Sequence, residues 1–587
     1  MQQIRETGIS PLVWKAFLRL LPVQIIEIIV FAVNTFADSL ITGRFLGTDG
    51  LAAIGFFSPV ATVIGITDVI IIGTQILCGR HIGSGEGEKV VSLFSTGAVF
   101  LGAFSIVMSA ACLLFRQPLA ELLGARGQIA GLVADYIAGY APGMIGQVLV
   151  GMMMVFLPYN NEIRRCYLGI GVMIVSNVAM DFLFVGAWNM GIFGMGIATA
   201  ASYLLSCAVM LPGFLSDKQA VFFRWKGLCF GRLPEAARFG LPSLMFVIGC
   251  TAKGYVMNLT LMHSVGAAAV AAMTVQGTVC AIIGAIPLGC ANAYLTMGSI
   301  YYGEEDRRSL LDLTRFSLGF GTVLSAVVAA LLIASAGAVA SLYFAPAEEA
   351  WTVTRRMMML FPGYLVLNTV FNLLLKTWQI QEKMGLVNVL SVAETLIMAL
   401  FAAALTGVIG PDAVWLAFPA GEIICLLVIA VSVMIRTGKI TFRLEDWMKL
   451  DRDFGASAEE CMEFSVRSME QVLNISVGVI DFCRKRKIDE RRSTVAGLSV
   501  EEMVGNVVEH GFCSGVKHHV DIRLVVKKDR LTIRVRDDCR AFNPKMRLDQ
   551  FDSEDMTKNI GIRMIAAMSE EMSYQCSAGI NTLLLRV

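Results

Sequence analysis

Charge is scarce in this 587-residue chain. Asp, Glu, Lys and Arg together make up 16% of it, against about 25% in a soluble globular domain. A chain so poor in charge, 56% hydrophobic and with a mean hydropathy of +0.67, falls in the membrane class. The charges it has almost cancel, leaving a net +1. That removes the basic excess a nucleic-acid binder needs, so no nucleic acid is expected as a partner. No CxxC pair occurs. The 14 cysteines are scattered through apolar runs such as Leu77-Cys78-Gly79 and Ile424-Cys425-Leu426, and read as reduced, apolar packing residues. No GxxxxGK[ST] phosphate loop is present, which excludes a motor of that type. No cleavable signal peptide is evident, because the first apolar run is too long and no small-residue cleavage site follows it.

Apolar runs are abundant. A spanning helix needs roughly 20 apolar residues, and twelve candidates are centred near Ile28, Val63, Val107, Gly151, Met173, Leu204, Val247, Gly284, Ala329, Leu365, Val392 and Leu427. After Arg436 the chain turns polar and no further spanning run follows, which puts a boundary between about Ile440 and Ala456. Basic residues crowd one set of alternate loops, with Arg80 and Lys89, Arg164 and Arg165, Lys218 to Arg238, Arg307 and Arg308, Lys383, and Arg436 to Arg443. That bias predicts a multi-pass protein of the cell membrane with this set of loops, and both termini, in the cytosol.

The apolar region also repeats itself. "GTDGLAA" at 47–53 aligns with "GAAAVAA" at 266–272, Pro142-Gly143 with Pro362-Gly363, and Glu162 with Glu382, at offsets of 219, 220 and 220. A common offset of half the region predicts two six-helix repeats of equal topology, parallel about an axis along the membrane normal. The expected division is 1–220 and 221–440 for the repeats, 441–455 for a linker, and 456–587 for a C-terminal domain.

Ionisable residues inside such a bundle usually face a cavity or a partner. Asn34 and Asp38 lie one helical turn apart on one face, and Glu27 lies about three turns before Asp38 on the same face. Asn177 and Asp181 form a second Asn-x-x-x-Asp pair. A carboxylate beside an amide can coordinate Na+ through oxygens, or carry H+ when it is taken out of water. The alternative for Asp38 and Asp181 is a purely structural hydrogen bond between helices. Lys253 and Glu394 are further cleft candidates, while Asp68 and Glu422 read as structural.

"ADSLITGRFLGTDGLAAIG" at 37–55, "GRHIGSGEGEK" at 79–89, "SNVAMDFLFVG" at 176–186 and "MGIFGMGIATAAS" at 190–202 resemble signatures of the multidrug and toxic compound extrusion (MATE) transporters. The resemblance covers residues 10–436. It implies antiport: export of cationic or amphipathic drugs or metabolites, in contact with membrane lipid, against Na+ or H+. It also implies that Asp38, Asn177 and Asp181 form the cation site and that Pro22 is the bend of the first span. The second half has Met257 where the first has Asp38, so coupling is expected in the first half. A lipid-linked sugar flippase of the same wider superfamily is a rival reading, with only Lys253 and Lys376 to serve as its basic cleft residues.

From Glu459 on the pattern is mixed: a strand at "CMEFSVRS", helices over "MEQVLNISVGVIDFCRKRK" and "STVAGLSVEEMVGNVVEHGF", a hairpin from "VDIRLVVKK" and "RLTIRVRD", a helix around 558–569, and a last strand pair. This is an α+β two-layer sandwich. Glu502, Asn506 and His510 recur every fourth residue and so share a helix face. With "RDDCRAFNP" at 536–544 and "NIGIRMI" at 559–565, their order resembles the nucleotide boxes of the GHKL ATPases, nearest the serine kinases that act as anti-sigma factors. The resemblance implies Mg-ATP, with Asn506 on the metal, Glu502 as catalytic base, Asp537 on the adenine amino group and Gly561 beside the phosphates. Cys539 and Asn559 stand where that pattern has glycine. A domain that only binds a cytosolic regulatory protein, and a receptor whose tail phosphorylates such a protein, are the alternatives.

Overall fold

The computed structural model describes residues 8–264, 267–457, 459–513, 516–527, 530–549 and 560–587. The first half of the membrane region comprises α1 (Pro11–Phe45), α2 (Gly47–Ile64), α3 (Asp68–Gly83), α4 (Gly87–Leu114), α5 (Arg116–Leu122), α6 (Gln128–Tyr140), α7 (Gly143–Phe156), α8 (Ile163–Asp181) and α9 (Gly191–Met210). The second comprises α10 (Leu233–Ser264), α11 (Ala267–Ile283), α12 (Ala285–Gly303), α13 (Arg307–Ala334), α14 (Ala336–Tyr343), α15 (Glu349–Leu360), α16 (Gly363–Ile380), α17 (Met384–Ile409) and α18 (Asp412–Thr437). Among the described residues, eleven helical stretches are long and apolar enough to cross a membrane, and twelve if α15 and α16, bent by 45° at their junction, are counted as one span. Each of the twelve expected centres falls in one of these spans.

The two halves repeat each other in packing as well as in order. Pro22 interrupts α1 and Pro242 interrupts α10, an offset of 220. Pro142 starts α7 after a break, and Pro362 starts α16 in the same way. Contacts across the midline are reciprocal: a Cβ on Gly83 would stand 2.1 Å from Ile300 O, and one on Gly303 would stand 2.1 Å from Arg80 O. Residues 80 and 83 pair with 300 and 303, as a pseudo-two-fold axis between α3 and α12 requires. Both glycines exist because the backbones touch there. The 266–272 match begins on a residue outside the described ones.

α18 ends at Gly438 in the left-handed conformation, and residues 439–457 fold back over the second half. Trp378 Nε1 donates to Trp447 O at 3.2 Å, and Phe454 stacks on Tyr302 at 4.7 Å; α19 (Leu444–Trp447) lies in this stretch. The C-terminal domain follows as β1 (Cys461–Val466), α20 (Met469–Lys485), α21 (Glu490–Asn506), β2 (Val520–Lys527), β3 (Arg530–Asp537), α22 (Pro544–Asp549), α23 (Ile560–Met568), β4 (Glu571–Ser577) and β5 (Ile580–Arg586). Its sheet is antiparallel throughout, in the order β1-β2-β3-β5-β4.

Alternation along these strands gives the sheet two unlike faces. Ile522, Leu524, Ile533, Val535, Leu583 and Leu585 face one way and are buried with Val479 and Val504 of the helices. Arg523, Arg534 and Arg536 face the other way, in register with Glu463, Asp521 and Thr582. This polar face is not open to solvent: the three arginines are 4–7% exposed, because it lies against the membrane region. The expected two-layer sandwich is thus covered by a third layer.

Candidate ion-coupling and nucleotide sites

Asp38 on α1 and Asp181 at the end of α8 come together. The Asp38 carboxyl lies within hydrogen-bonding reach of both Asp181 and Asn177. Asn177 and Asp181 are fully buried, Asn34 and Asp38 nearly so. Asn177 Nδ2 also donates to Thr199 Oγ1 of α9 at 3.3 Å. Five acceptors remain buried without a donor: Asn34 Oδ1, Asp38 Oδ1, Asn177 Oδ1 and both oxygens of Asp181. Two carboxylates and two amide oxygens without donors form a set that calls for a cation or a proton. Tyr136 of α6 feels the charge of both acids and Tyr203 of α9 that of Asp38. Sequence reading missed these tyrosines, since nothing in their spacing ties them to α1.

Glu27 does not join this group. Its charged neighbour is Asp68 of α3. In the second half, Asn368 of α16 donates to Glu394 of α17 at 3.2 Å and to Glu422 of α18 at 2.6 Å. All three are buried, and Glu422 Oε2 has no partner. Lys253 of α10 sits 3.8 Å from Met398 Sδ, with its ammonium over the Phe418 ring at 5.2 Å. The second half therefore holds its own acid–amide group, built from α16, α17 and α18.

On the side that carries the C-terminal domain the halves are closed on each other. Gln75 Nε2 donates to Thr296 Oγ1 at 3.0 Å, Tyr159 Oη lies 3.4 Å from Ser299 Oγ, and Arg80 binds Glu382 and, at 2.5 Å, Ile380 O. The C-terminal domain sits directly over this contact. To the second half, Arg534 reaches Glu304 at 2.6 Å and Asp306 at 2.5 Å, Arg536 reaches Glu304, and Arg523 reaches Glu305 O at 3.0 Å. Burial alone would push the Asp306 carboxyl up, but Arg523, Arg534 and Arg536 outweigh it and hold it well below the usual carboxylate range. To the first half, Ser10 Oγ donates to Asp521 at 2.9 Å and Lys15 to Asp538 at 2.5 Å. Ser577 Oγ donates to Tyr159 O at 2.8 Å and Arg586 to Ser84 O at 2.8 Å.

Within the domain, Glu502 and Asn506 lie half-buried in the last turns of α21. Asn506 Nδ2 donates to Glu502 O at 2.7 Å, leaving its carbonyl oxygen, the hard donor Mg2+ prefers. His510 departs from the expected face. Residues Val507–Gly511 form a π turn, whose wider step takes His510 out of the four-residue register and leaves it exposed. A Cβ on Gly561 would meet Glu502 Oε2 at 1.8 Å, so the helix that carries Glu502 and Asn506 touches the NIGIRMI segment. Asp537 ends β3, is 5% exposed, and accepts from Asn581 Nδ2 at 2.7 Å and Cys539 N at 3.0 Å. Burial pushes its carboxyl up. The Cys539 Cβ stands 3.0 Å from where Gly511 would carry one, so it closes against the turn after α21. Asn559 lies outside the described residues.

Comparison with known proteins matches this layout. The profile of the MatE family fits residues 24–183 and 242–405, one match per half. The chain belongs to the MatE family. Residues 467–587 fit the histidine kinase-like ATPase domain, in agreement with the GHKL-like sandwich. The probable multidrug resistance protein YoeA of Bacillus subtilis (strain 168) is 22% identical over 369 residues, 61% of this chain and 79% of that protein. The probable multidrug resistance protein NorM of Halalkalibacterium halodurans is 22% identical over 344 residues, 57% of this chain and 74% of that one. Among solved structures, a MATE in complex with MaD3S superposes with a TM-score of 0.67 at 20% identity, covering 72% of this chain and 96% of that one. The outward-facing conformation of a multidrug resistance MATE family transporter gives 0.64 at 20%, covering 72% and 97%. These structural likenesses establish a shared fold for the membrane region.

Proposed function

We propose that this MatE-family protein is a Na+- or H+-coupled antiporter that exports organic, cationic or amphipathic compounds, with a cytosolic ATP-binding domain that regulates transport. The observation that carries the reading is the donor-free group of Asn34, Asp38, Asn177 and Asp181. Two apposed carboxylates repel when both are charged. Filling the group with Na+ or H+ draws α1 toward α8, and emptying it drives them apart. Occupancy is thereby coupled to the position of α1, which carries Pro22, a residue that removes one backbone hydrogen bond and lets a helix bend. The relatives named as multidrug resistance proteins support the substrate class.

In this reading both termini and the C-terminal domain lie in the cytosol, and the repeats occupy 1–220 and 221–440, with 441–455 joining them to 456–587. Lys253, Glu394 and Glu27 act as polar groups near the substrate path, outside the coupling site. In the ATPase domain, Asn506 would hold Mg2+, Asp537 the adenine amino group, Glu502 an attacking hydroxyl or water, and Gly561 the backbone beside the phosphates. Bound nucleotide supplies a phosphoryl group or a binding signal; the ion gradient supplies the work. The test is flux of an organic cation in proteoliposomes with Na+ and H+ gradients imposed separately. One of the two gradients drives uptake into inverted vesicles. Flux that follows added Mg-ATP with no gradient would overturn the assignment.

A further inference from the structure

The polar face of the ATPase-domain sheet touches both halves of the membrane region at once, over the place where they close on each other. Its hold on the second half is deep: Arg523, Arg534 and Arg536, all buried, grip Glu304 and Asp306. The chain from Gly438 to Phe454 also ties the domain to that half, through Trp447 and Phe454. Its hold on the first half is made of packing and single hydrogen bonds: Ala578 and Ile580 are buried among first-half residues, and Ala578 N donates to Pro158 O at 3.2 Å. Ser10 and Lys15 contact side chains of the domain, and Ser577 and Arg586 bind only the backbone carbonyls of Tyr159 and Ser84. Tyr159 is itself one of the residues closing the halves, through Ser299.

From this we infer that the ATPase domain is a clamp: seated on both halves it keeps the cytosolic side shut, and it opens by lifting off the first half while hinged on the second. The inference rests on the antiporter reading above and adds the regulation of it. Two rigid bodies that must separate on one side cannot do so while a third is bonded across both. The asymmetry sets which contact yields, since single bonds of half-buried side chains to backbone carbonyls are individually weaker than buried arginine–carboxylate pairs. The releasable set includes Lys15, whose partner Asp538 adjoins Asp537. The loop that would meet adenine is thus also a loop that holds α1.

Hydrogen exchange of the full-length chain in lipid nanodiscs reads the gate without needing ion, substrate or transport, so a failure of the antiport reading does not disturb it. The variant Lys15→Glu/Ser577→Ala/Arg586→Ala removes first-half contacts, together with the Arg586–Glu571 pair inside the domain. Arg224→Ala, which breaks an exposed pair with Glu88 away from the interface, is the control. Exchange in residues 73–83 and 293–303 is expected to rise at least about fivefold in the triple variant, as local opening becomes more frequent, and to stay unchanged in the control. Gate exchange in the triple variant equal to the parent's, or raised equally by Arg224→Ala, overturns the clamp, whatever happens in α20 and α21.

Discussion

At the scale of single residues, two kinds of carboxylate carry the account. Asp38 and Asp181 have acceptors without donors; Asp306 has more donors than it needs. The second kind makes a pH prediction with a definite sign. The folded Asp306 carboxyl is held below its unfolded value of about 4. Its stabilising contribution is complete above that value and is lost as pH falls toward the depressed folded one. Docking of the domain should therefore be unchanged from pH 8 to about 5 and loosen only in stronger acid. Exchange protection of β3 measured across that range checks it, and a transition near neutrality would contradict the assignment. Removing one side of this network is costly, because it strands buried charge. Arg534→Ala should destabilise docking by about 3–5 kcal/mol, read as loss of β3 protection. In the nucleotide site, Asn506→Ala should weaken Mg-nucleotide binding at least about tenfold, as loss of a metal ligand does. Calorimetry on the full-length chain measures it, and equal affinity in parent and variant would remove Asn506 from the metal.

At the scale of elements, the closest approaches are backbone on backbone. A Cβ at Gly83 or Gly303 would intrude on the partner helix's carbonyl at 2.1 Å. Gly83→Ala and Gly303→Ala should each cost about 1–3 kcal/mol through overpacking, and by similar amounts, because the positions are mates in the repeat. Thermal unfolding in one detergent tests this; a large effect at one site and none at the other would break the symmetry argument. Much at this scale was legible in the sequence. Spans announce themselves by apolar length, and the offset of 220 announced the repeat. The hairpin alternation also exposed which side of the sheet carries Arg523, Arg534 and Arg536, but not that a membrane region covers it, since alternation reports polarity and not partner. The Asn368–Glu394–Glu422 group was missed, and Glu422 was read alone, because its members sit on three helices and share no spacing. His510 was misplaced because a π turn leaves no mark in a four-residue pattern. Tyr136 and Tyr203 were missed for the same reason as the acid group: they reach Asp38 across space, from α6 and α9.

At the scale of the whole molecule, a MatE-family membrane region and a histidine kinase-like ATPase domain share one contact surface, and each fold's chemistry is intelligible alone. In the proposed scheme the membrane part needs only an ion gradient and a group that changes occupancy, and the domain needs only a way to hold or release the first half. The most direct measurement of the central claim is gradient-driven flux in proteoliposomes for the parent chain, Asp38→Asn and Asp181→Asn, with reconstituted protein amounts matched. Both substitutions keep the side-chain volume and remove the charge. The account predicts loss of gradient-driven flux in each variant, with substrate binding retained. Flux in Asp38→Asn that still follows the imposed Na+ or H+ gradient would contradict it.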